Sequence, residues 1–516
     1  MLVIFVGGVR MIKDKTNITT SQFNFVTDML KSHAVKTPKA TALVFEGQET
    51  SYDSLYSNVQ KIAGYFQQRG YKKGDVIGLM LLNSDLFMTV YYGVQLAGLT
   101  ILPINTKLAI PELAYIFDHS EIKGLIYDER LSETIREVDY NPELKLNRQQ
   151  IREIIDGPNT FTPIEMDPQD TAAILYTSGT TGRPKGVMLS YANIANAVEI
   201  WCEALQYRPT DRVYISIPLF HCAGLHVIGV GTMCGGAALV IDETFSPDRT
   251  LQTITEEKIT IFTGVPTMYS ILLGKKGMAN YQFEHVRKFA YGAAPMPHEV
   301  IKQLKESFPN IEIQNLYGQT ESTPGGTSLT DDAALERVGS VGKALARTQI
   351  KIVDNNGLDL PSDQIGEICI KGPQIMKGYL KNEEETKKVI LDGWLYTGDL
   401  GRLDDDGYLY IVDRKKDMII RGGENIYPIE VENVLYQIPQ VLDAAVIGLP
   451  HEVYGEVPKA VIALLEEGTI TEQEVIDFAK TKLAKYKVPY IVEFVKDLPR
   501  NPSGKVLKHV LREQQV

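Results

Sequence analysis

Residues 176–187, YTSGTTGRPKGV, combine hydroxyl side chains, glycines and two cations between two apolar runs. Hydroxyls and the backbone N–H groups that glycines expose can bind phosphate oxygens, and a lysine adds a positive charge. The stretch therefore predicts a polyphosphate site, although a polar Gly/Thr hairpin without a ligand explains the composition equally well. The residues that carry the phosphate hypothesis are Thr177, Ser178, Gly179, Thr180, Thr181, Gly182 and Lys185.

The stretch is not a Walker A loop, because no Gly-Lys-Ser/Thr follows its first glycine at the required spacing. The residues that come next, GVMLS at 186–190, predict a strand, whereas a Walker A loop opens a helix. A phosphate site here therefore belongs to another kind of fold.

The overall composition limits the classes of protein that could carry such a site. A chain of 516 residues is too long for one ordinary core and predicts two or more domains. A hydrophobic fraction of 44% and a charged fraction of 23% are typical of soluble globular proteins, and a net charge of −12 argues against a general nucleic-acid binder. The four cysteines form no CxxC pair and no metal-ligand spacing, which favours a reduced, intracellular protein.

The N-terminus shows no targeting pattern. Its apolar stretch runs only from Leu2 to Val6 before two glycines, far less than a membrane span needs, and no basic region precedes it. We therefore expect a cytoplasmic protein with no secretory signal and no transmembrane segment. A peripheral contact with the inner face of the membrane and a homodimer stay open.

The first 340 residues or so predict α/β layering around the loop. Residues 53–70 place apolar side chains at helical spacing and end at Gly70, as in a helix that packs on a sheet. Nearly continuous apolar runs suit strands that helices cover on both faces. These runs are VIGLMLL (76–82), AAILYTS (172–178), VYISIP (213–218) and ITIFTGVP (259–266).

The C-terminal third changes its pattern twice. From Val341, short half-polar strands separated by Asn/Asp-Gly turns predict a small β unit. After Asp413, a helix entered at Pro428, further strands and a helix near 471–483 predict an α+β unit of about 100 residues. The expected fold is α/β: an N-terminal domain (1–413) of layered α/β subdomains plus the β unit, a hinge (414–416), and a small mobile α+β domain (417–516).

Five ordered motifs give the chain a resemblance to the adenylate-forming superfamily of acyl- and aryl-CoA synthetases, luciferases and peptide-synthetase adenylation domains. The resemblance extends from about Phe25 to Arg512 and is closest to bacterial medium- and long-chain fatty acyl-CoA synthetases. The motifs are YTSGTTGRPKGV, NLYGQTES (315–322), YTGDL (396–400), DRKKDMIIRGGENIYP (413–428) and PRNPSGKVLK (499–508).

The resemblance implies that a carboxylate and Mg·ATP give an acyl-adenylate and pyrophosphate, and that the thiol of coenzyme A then displaces AMP. Thr320 would donate to the α-phosphate, and Glu321 would hold Mg²⁺ together with Thr177. Asp399 would accept from both ribose hydroxyls, with Arg414 beside it. Tyr317 would stack on adenine and Asn315 would bond its edge, and the other implied nucleotide-binding residues are Gly292, Ala293, Ala294, Leu316 and Gly318.

The C-terminal domain would supply one residue to each half-reaction. Lys505, in a Pro/Gly turn, would offset negative charge at the α-phosphate during adenylation. Gly423 would face the pantetheine channel in the second step, where a residue without Cβ allows close approach. Lys416 stands at the hinge position, where some relatives carry Asp.

The choice of acid would depend on four segments around the acyl pocket. His221, in PLFHCAGLH (218–226), resembles the gate of the family beside the carboxylate, while Gly325 and Gly326 would leave room for a long aliphatic chain. These segments contain no Arg or Lys that could pair with a second carboxylate, which disfavours dicarboxylates and succinylbenzoate. We therefore favour an AMP-forming ligase of fatty acids.

Three alternatives accompany that hypothesis. The first is an aryl- or o-succinylbenzoate-CoA ligase. The second is a stand-alone adenylation enzyme that loads a carrier protein; the chain has no carrier-like serine motif of its own. The third is a noncatalytic nucleotide-binding protein, which would be expected to have lost Glu321 or Lys505, and both are present.

Overall fold

The computed structural model describes residues 3–6, 9–12, 23–177, 184–275, 277, 281–466, 468–500 and 506–513, the first two ranges by backbone alone. Ser178, Gly179, Thr180, Thr181, Gly182 and Lys505 lie outside these ranges, so the predictions made for them stay predictions. At the N-terminus, the strands Val3–Val6 and Val9–Ile12 pair with each other in antiparallel fashion.

One sheet of the N-terminal region contains both strands that flank the predicted phosphate loop. Val76–Met80 pairs in parallel with its neighbours on both sides, whereas Thr171–Thr177 and Lys185–Ser190 pair antiparallel with Lys185 opposite Thr177. The strand expected directly after the loop is thereby confirmed. The spatial order is Gly378–Tyr379, Lys185–Ser190, Thr171–Thr177, Thr100–Pro103, Val76–Met80, Gly124–Tyr127 and Leu144–Asn147.

A second, larger sheet has parallel central strands and antiparallel outer ones. The neighbours Ile261–Gly264, Lys288–Gly292 and Glu312–Tyr317 run parallel, so their carboxyl ends meet at one edge. The spatial order is Gln349–Val353, Gly366–Lys371, Trp394–Leu403, Leu409–Arg414, Ser340–Ala344, Thr327–Leu329, Glu312–Tyr317, Lys288–Gly292, Ile261–Gly264, Arg212–Ile215, Ala238–Ile241, Thr41–Phe45 and Gln48–Ser51, with Ile390–Leu391 paired to Trp394–Leu403.

The predicted small β unit is therefore an extension of the large sheet. Strand Ser340–Ala344 pairs with Thr327–Leu329 on one side and with Leu409–Arg414 on the other, which makes the hydrogen bonding continuous. The unit still has an apolar core of its own around Ile352, Ile368 and Leu409. The change in sequence pattern after Val341 therefore corresponds to a separate apolar core within the same sheet, and not to a separate sheet.

The C-terminal region forms a separate sheet covered by helices. Its strands follow the order Glu424–Ile426, Ile419–Arg421, Gly455–Leu464 and Val441–His451, with Ile491–Val495 parallel to Gly455–Leu464. The last strand of the large sheet ends at Arg414, and the first strand of this one begins at Ile419. The division at 414–416 made from the sequence stays a prediction.

Helices cover the sheets through apolar faces that the sequence specifies. In Tyr52–Gln68, Ser51 accepts a hydrogen bond from Ser54 N as the N-cap, and the buried face includes Leu55, Ile62 and Phe66. The helices are Val26–Lys36, Tyr52–Gln68, Asp85–Leu96, Ile110–Ser120, Ser132–Glu137, Arg148–Asp156, Tyr191–Leu205, Gly231–Cys234, Pro247–Glu256, Pro266–Leu273, His298–Ser307, Asp331–Ala334, Glu383–Val389, Pro428–Leu435, Glu472–Lys482 and Lys508–Glu513, with 3₁₀ turns at Glu129–Leu131 and Thr320–Ser322 and a π-helix at Ala223–Val230.

No helix within the described ranges is both long and apolar enough to pass through a lipid bilayer.

Candidate functional site

The predicted site residues gather at the carboxyl edge of the parallel strands in the large sheet. Gly292 and Leu316 are paired residues at the ends of two neighbouring strands, and Tyr317 follows directly. Asn315 is buried, while Leu316, Tyr317 and Gly318 are half-buried. Ligands of open α/β sheets bind at this edge, because loops and helix ends converge there.

The buried carboxylate of Asp399 contacts three other side chains at this edge of the sheet. Asp399 Oδ2 accepts hydrogen bonds from the Tyr317 hydroxyl at 2.8 Å and from Gln319 Nε2 at 2.7 Å, and Asp399 Oδ1 lies 2.9 Å from Arg414 Nε. Burial, and secondly the charge of Asp399, raise the pKa of the Tyr317 phenol, so Tyr317 stays a neutral donor. The structure thus brings together Tyr317, Asp399 and Arg414, which stand far apart in sequence.

Gln319 is a member of this cluster that the sequence analysis missed. Its Nε2 donates to the Thr397 carbonyl at 2.9 Å as well as to Asp399, so it joins the turn before Thr320 to the strand that carries Asp399. The only available signal was its place inside the NLYGQTES motif. Its partner is 80 residues away, and no local pattern points to it.

Glu321 lies next to this cluster in the 3₁₀ turn Thr320–Ser322. Its Oε1 accepts a hydrogen bond from the Tyr379 hydroxyl at 2.9 Å, and its backbone carbonyl accepts from Met376 N at 2.9 Å. Burial, and secondly the charge of Glu321, raise the pKa of Tyr379, which keeps the phenol protonated. One contact therefore holds the Glu321 carboxylate and the other its backbone, while the half-buried Thr320 precedes it.

The two ends of the predicted phosphate loop lie in the neighbouring sheet. Thr177 ends one strand, Lys185 begins the next, and both are half-buried. Lys185 Nζ lies 2.6 Å from Glu385 Oε2 and 5.1 Å from the centre of the Tyr379 ring. Tyr379 therefore contacts both Lys185 and Glu321, and it connects the loop with the large sheet.

His221 is a neutral imidazole at the start of the predicted acyl segment. Burial lowers the pKa of His221 to about 4, and its Nε2 is buried without a hydrogen-bond partner among the described residues. Its ring packs against Phe220, with centroids 4.6 Å apart. A buried polar atom without a partner is uncommon in folded proteins and is expected where a ligand supplies one.

Behind His221 lies a buried polar chain that the sequence analysis did not find. Cys222 Sγ lies 3.3 Å from His226 Nδ1, and His226 Nε2 lies 3.0 Å from the Tyr91 hydroxyl. Burial lowers the pKa of His226 to about 3, so the ring is neutral. Cys222 and His226 flank the first turn of the π-helix Ala223–Val230, an element that often occurs at functional sites.

The small residues of the site are required by packing. A Cβ on Gly292 would lie 2.5 Å from the Leu316 carbonyl oxygen, and one on Gly326 would lie 2.7 Å from that of Tyr317. A Cβ on Gly325 would lie 3.0 Å from the Gln374 side chain. Gly325 and Gly326, which the resemblance implied would leave room for an acyl chain, each have a close neighbour in the structure.

Two further small residues follow Gly292. Ala293 has a positive φ of 68° and is exposed, and Ala294 is half-buried. A non-glycine residue with such a φ is uncommon and is costly for larger side chains. The turn after the strand Lys288–Gly292 is therefore held in a conformation that disfavours bulky residues beside the site.

Gly423 lies apart from the cluster. It is exposed in the hairpin that joins Ile419–Arg421 to Glu424–Ile426, with a φ of 89°, and a Cβ there would meet nothing within 4 Å. Lys416 is exposed as well. In this arrangement the structure does not bring Gly423 next to Asp399, Glu321 or His221.

The joint between the two sheets contains a buried carboxylate. Asp413 Oδ1 accepts a hydrogen bond from Arg414 N at 2.6 Å, and Oδ2 accepts one from Ile429 N at 2.9 Å. Burial raises the pKa of Asp413 to about 6, and the negative charge of Glu432 acts in the same direction. The positive charge of Lys508 acts against this shift and lowers the pKa. Lys508 itself pairs with Glu432 at 2.7 Å.

This shift predicts a pH-dependent stability. Because the pKa of Asp413 is higher in the folded chain than in the unfolded one, its ionisation opposes folding, and that cost grows as pH rises from 5 to 7.5. Asp413→Asn removes this titration. The free energy of unfolding of the variant minus that of the parent should therefore be about 1 kcal/mol larger at pH 7.5 than at pH 5. Calorimetry at both pH values measures it. A relative stability that is constant or falls with pH contradicts the assignment.

Comparisons with known proteins identify the family of this chain. A family model described as AMP-binding enzyme matches residues 30–380, and one described as AMP-binding enzyme C-terminal domain matches residues 430–505. The chain is 34% identical to the long-chain-fatty-acid–CoA ligase FadD13 of Mycobacterium tuberculosis, over 94% of this chain and 97% of the relative. It is 36% identical to the 2-succinylbenzoate–CoA ligase of Bacillus licheniformis, over 93% and 98%.

A third relative and two solved structures are also similar to this chain. Feruloyl-CoA synthase from Amycolatopsis is 34% identical over 92% of this chain and 96% of its own. ATP-bound MatB from Rhodopseudomonas palustris has a TM-score of 0.88 at 32% identity, over 95% of this chain and 98% of that one. Apo MatB, at the same identity and coverage, has a TM-score of 0.77. The fold predicted from sequence, a large α/β domain with a small C-terminal one, is that of these neighbours.

Proposed function

Because the chain belongs to the AMP-binding enzyme family and is an AMP-forming acid–CoA ligase, we propose that its acid is a medium- or long-chain fatty acid. The observation that carries the site assignment is the position of Asp399, held by Tyr317, Gln319 and Arg414 beside the Glu321 turn. These residues occupy three of the roughly four acceptor positions of the Asp399 carboxylate, so Oδ1 can accept one ribose hydroxyl directly, and a second hydroxyl would replace the bond from Tyr317 or Gln319.

The reaction would proceed in two steps. In the first, a carboxylate oxygen of the acid attacks the α-phosphorus of ATP, and the bond to the β-phosphate breaks to release pyrophosphate. In the second, the sulfur of coenzyme A attacks the acyl carbon, the thiol proton passes to solvent, and AMP leaves. Lys185 and the loop before it would bind the phosphates, and Thr320 would donate to the α-phosphate.

The residues present fit a magnesium ion that arrives with ATP. No group of three or more His, Cys, Asp or Glu side chains that could hold a metal occurs in the described ranges. Mg²⁺ is commonly held by one or two carboxylates together with substrate phosphates, so Glu321, fixed by Tyr379, is a suitable protein ligand. Glu321 and Thr177 would hold the ion, which when bound neutralises phosphate charge.

The neutral state of His221 supports its proposed place beside the acid. An imidazole with a pKa of about 4 carries no charge at neutral pH, so it can donate one hydrogen bond without fixing a counter-ion. Its buried Nε2 finds no partner in the described part of the chain and would hydrogen-bond the bound acid. His221 would thus orient the carboxylate and leave the charge compensation to Lys505.

The C-terminal domain would present different residues in the two steps. Lys505 would act in adenylation and Gly423 in thioester formation, with a rotation near Lys416 between them. Two observations support this proposal: Gly423 is exposed and lies away from the site in this arrangement, and MatB resembles this chain more closely with ATP bound than without it.

The segments PLFHCAGLH, TGVPTMY and YGAAPMP contain no Arg or Lys, which disfavours dicarboxylates and 2-succinylbenzoate, because a second carboxylate would lack a cationic partner. The second candidate is an aryl acid. It is favoured by the identity of 36% to a 2-succinylbenzoate ligase and of 34% to a feruloyl-CoA synthase, which is no lower than the 34% to the fatty acid ligase.

The choice can be tested by measuring AMP release with a panel of acids, from acetate to oleate, together with benzoate, ferulate and 2-succinylbenzoate. Each acid is assayed with and without coenzyme A. We expect the largest kcat/KM for a saturated acid of medium or long chain, and multiple turnovers only with coenzyme A. A kcat/KM that is largest for an aryl acid supports the second candidate. Multiple turnovers at the same rate with and without coenzyme A contradict the thioester step.

A further inference from the structure

The predicted phosphate-binding lysine has a carboxylate partner within the protein. Lys185 Nζ and Glu385 Oε2 are 2.6 Å apart, and their side chains are only 12% and 21% exposed. The Tyr379 ring lies 5.1 Å from the same ammonium group. A pair with this little exposure is screened by water much less than a surface ion pair.

Glu385 is held in place by contacts that do not involve Lys185. Its backbone N–H donates to Asn382 Oδ1 at 3.1 Å in the first turn of helix Glu383–Val389. The next residue, Thr386, accepts at its hydroxyl from Tyr379 N at 2.9 Å, and Tyr379 pairs with Val187 in the strand that begins at Lys185. The helix turn that carries Glu385 is therefore held beside the strand of Lys185 by contacts that are independent of the ion pair.

The charge state of Glu385 makes it a strong competitor for Lys185. The hydrogen bond from Lys185, and secondly the one from Lys388, lower the pKa of Glu385 to about 2, so it is ionised at working pH. Lys388 Nζ lies 2.6 Å from Glu385 Oε1 but is exposed. A phosphate that takes the ammonium of Lys185 thus comes close to a fixed negative charge.

The pair also lies close to the predicted reaction centre. The Tyr379 side chain contacts Lys185 with its ring and donates to Glu321 Oε1 with its hydroxyl. Tyr379 therefore links the Lys185–Glu385 pair to Glu321.

We propose that Glu385 competes with polyphosphate for Lys185 and thereby promotes the release of pyrophosphate. The inference rests on the proposed function, in which Lys185 binds phosphates of ATP. When a polyphosphate binds, Lys185 leaves Glu385, whose fixed charge then repels the ligand; when pyrophosphate departs, the ion pair forms again. AMP lacks the β- and γ-phosphates, so its binding is independent of Glu385.

The test is Glu385→Gln, which removes the charge and keeps the volume and the backbone bond to Asn382. We expect the inhibition constant of pyrophosphate and the KM of ATP each to fall about threefold to fivefold, because a repulsive charge is lost. The inhibition constant of AMP should be unchanged. Glu384→Gln is the matched control, because Glu384 carries the same charge in the same helix but is exposed.

A double variant identifies the mechanism. In a protein that already carries Lys185→Met, no ammonium group is left for Glu385 and pyrophosphate to compete for. Adding Glu385→Gln should therefore change the inhibition constant of pyrophosphate by less than half as much as it does in the parent. Weaker pyrophosphate inhibition in Glu385→Gln, equal effects of both glutamine variants, or pyrophosphate inhibition unchanged by Lys185→Met would each overturn the inference. None of these results affects the proposed ligase reaction, which fails only if no acid supports AMP release.

Discussion

Lys505→Ala is expected to slow formation of the acyl-adenylate by about 100- to 1000-fold, because one charge contact to the transition state is worth roughly 3 to 4 kcal/mol. Negative charge accumulates around the α-phosphate as the carboxylate attacks, and an ammonium group offsets it only while it is close by. The measurement is the exchange of labelled pyrophosphate into ATP in the presence of the preferred acid.

The same variant should keep its second half-reaction. Thioester formation from synthetic acyl-AMP and coenzyme A should stay within about twofold of the parent, since Lys505 would have left the site by then. Lys496→Ala serves as the control, because Lys496 is exposed in the same domain and has no assigned role. A parallel loss of both half-reactions in a folded Lys505→Ala protein contradicts a role confined to adenylation.

The sequence was sufficient for the elements that repeat a pattern. Strands buried on both faces need apolar side chains at every position, so they are visible in the sequence as apolar runs. The strands predicted in this way are Val76–Met80, Thr171–Thr177, Arg212–Ile215 and Ile261–Gly264. The helix Tyr52–Gln68 is visible in the sequence because apolar side chains recur about every 3.6 residues along its buried face. The helix start at Pro428 follows from the fixed φ of proline.

The contacts that shape the site were not visible in the sequence. Lys185 and Glu385 are 200 residues apart, and Glu321 and Tyr379 are 58 apart, so only the fold brings them together. The same limit explains the glycines. A glycine in a motif can serve an open pocket or a tight contact, and only the neighbours Gln374 and Tyr317 show that Gly325 and Gly326 are closely packed.

Gly423→Leu is expected to block thioester formation while sparing adenylation. A Cβ at Gly423 meets nothing within 4 Å in this arrangement, so a leucine fits without a clash and pyrophosphate exchange should stay within about threefold of the parent. In the second step a leucine in the path of pantetheine should lower the rate about 100-fold, as small misplacements of reacting groups do. Single-turnover reaction of synthetic acyl-AMP with coenzyme A measures the effect.

Backbone strain is the competing explanation, because the φ of 89° at Gly423 disfavours any side chain. Two controls separate strain from blockage. Gly423→Ala introduces the same strain but only the first carbon of the side chain, so it should slow thioester formation less than Gly423→Leu does. Gly468→Leu places the same side chain at an open position of the same domain, with a φ of 75°, and should leave both half-reactions intact. If Gly423→Ala and Gly423→Leu lose pyrophosphate exchange and thioester formation to the same extent, strain is the cause; if Gly423→Leu and Lys505→Ala each lose both steps while folded, the domain does not alternate.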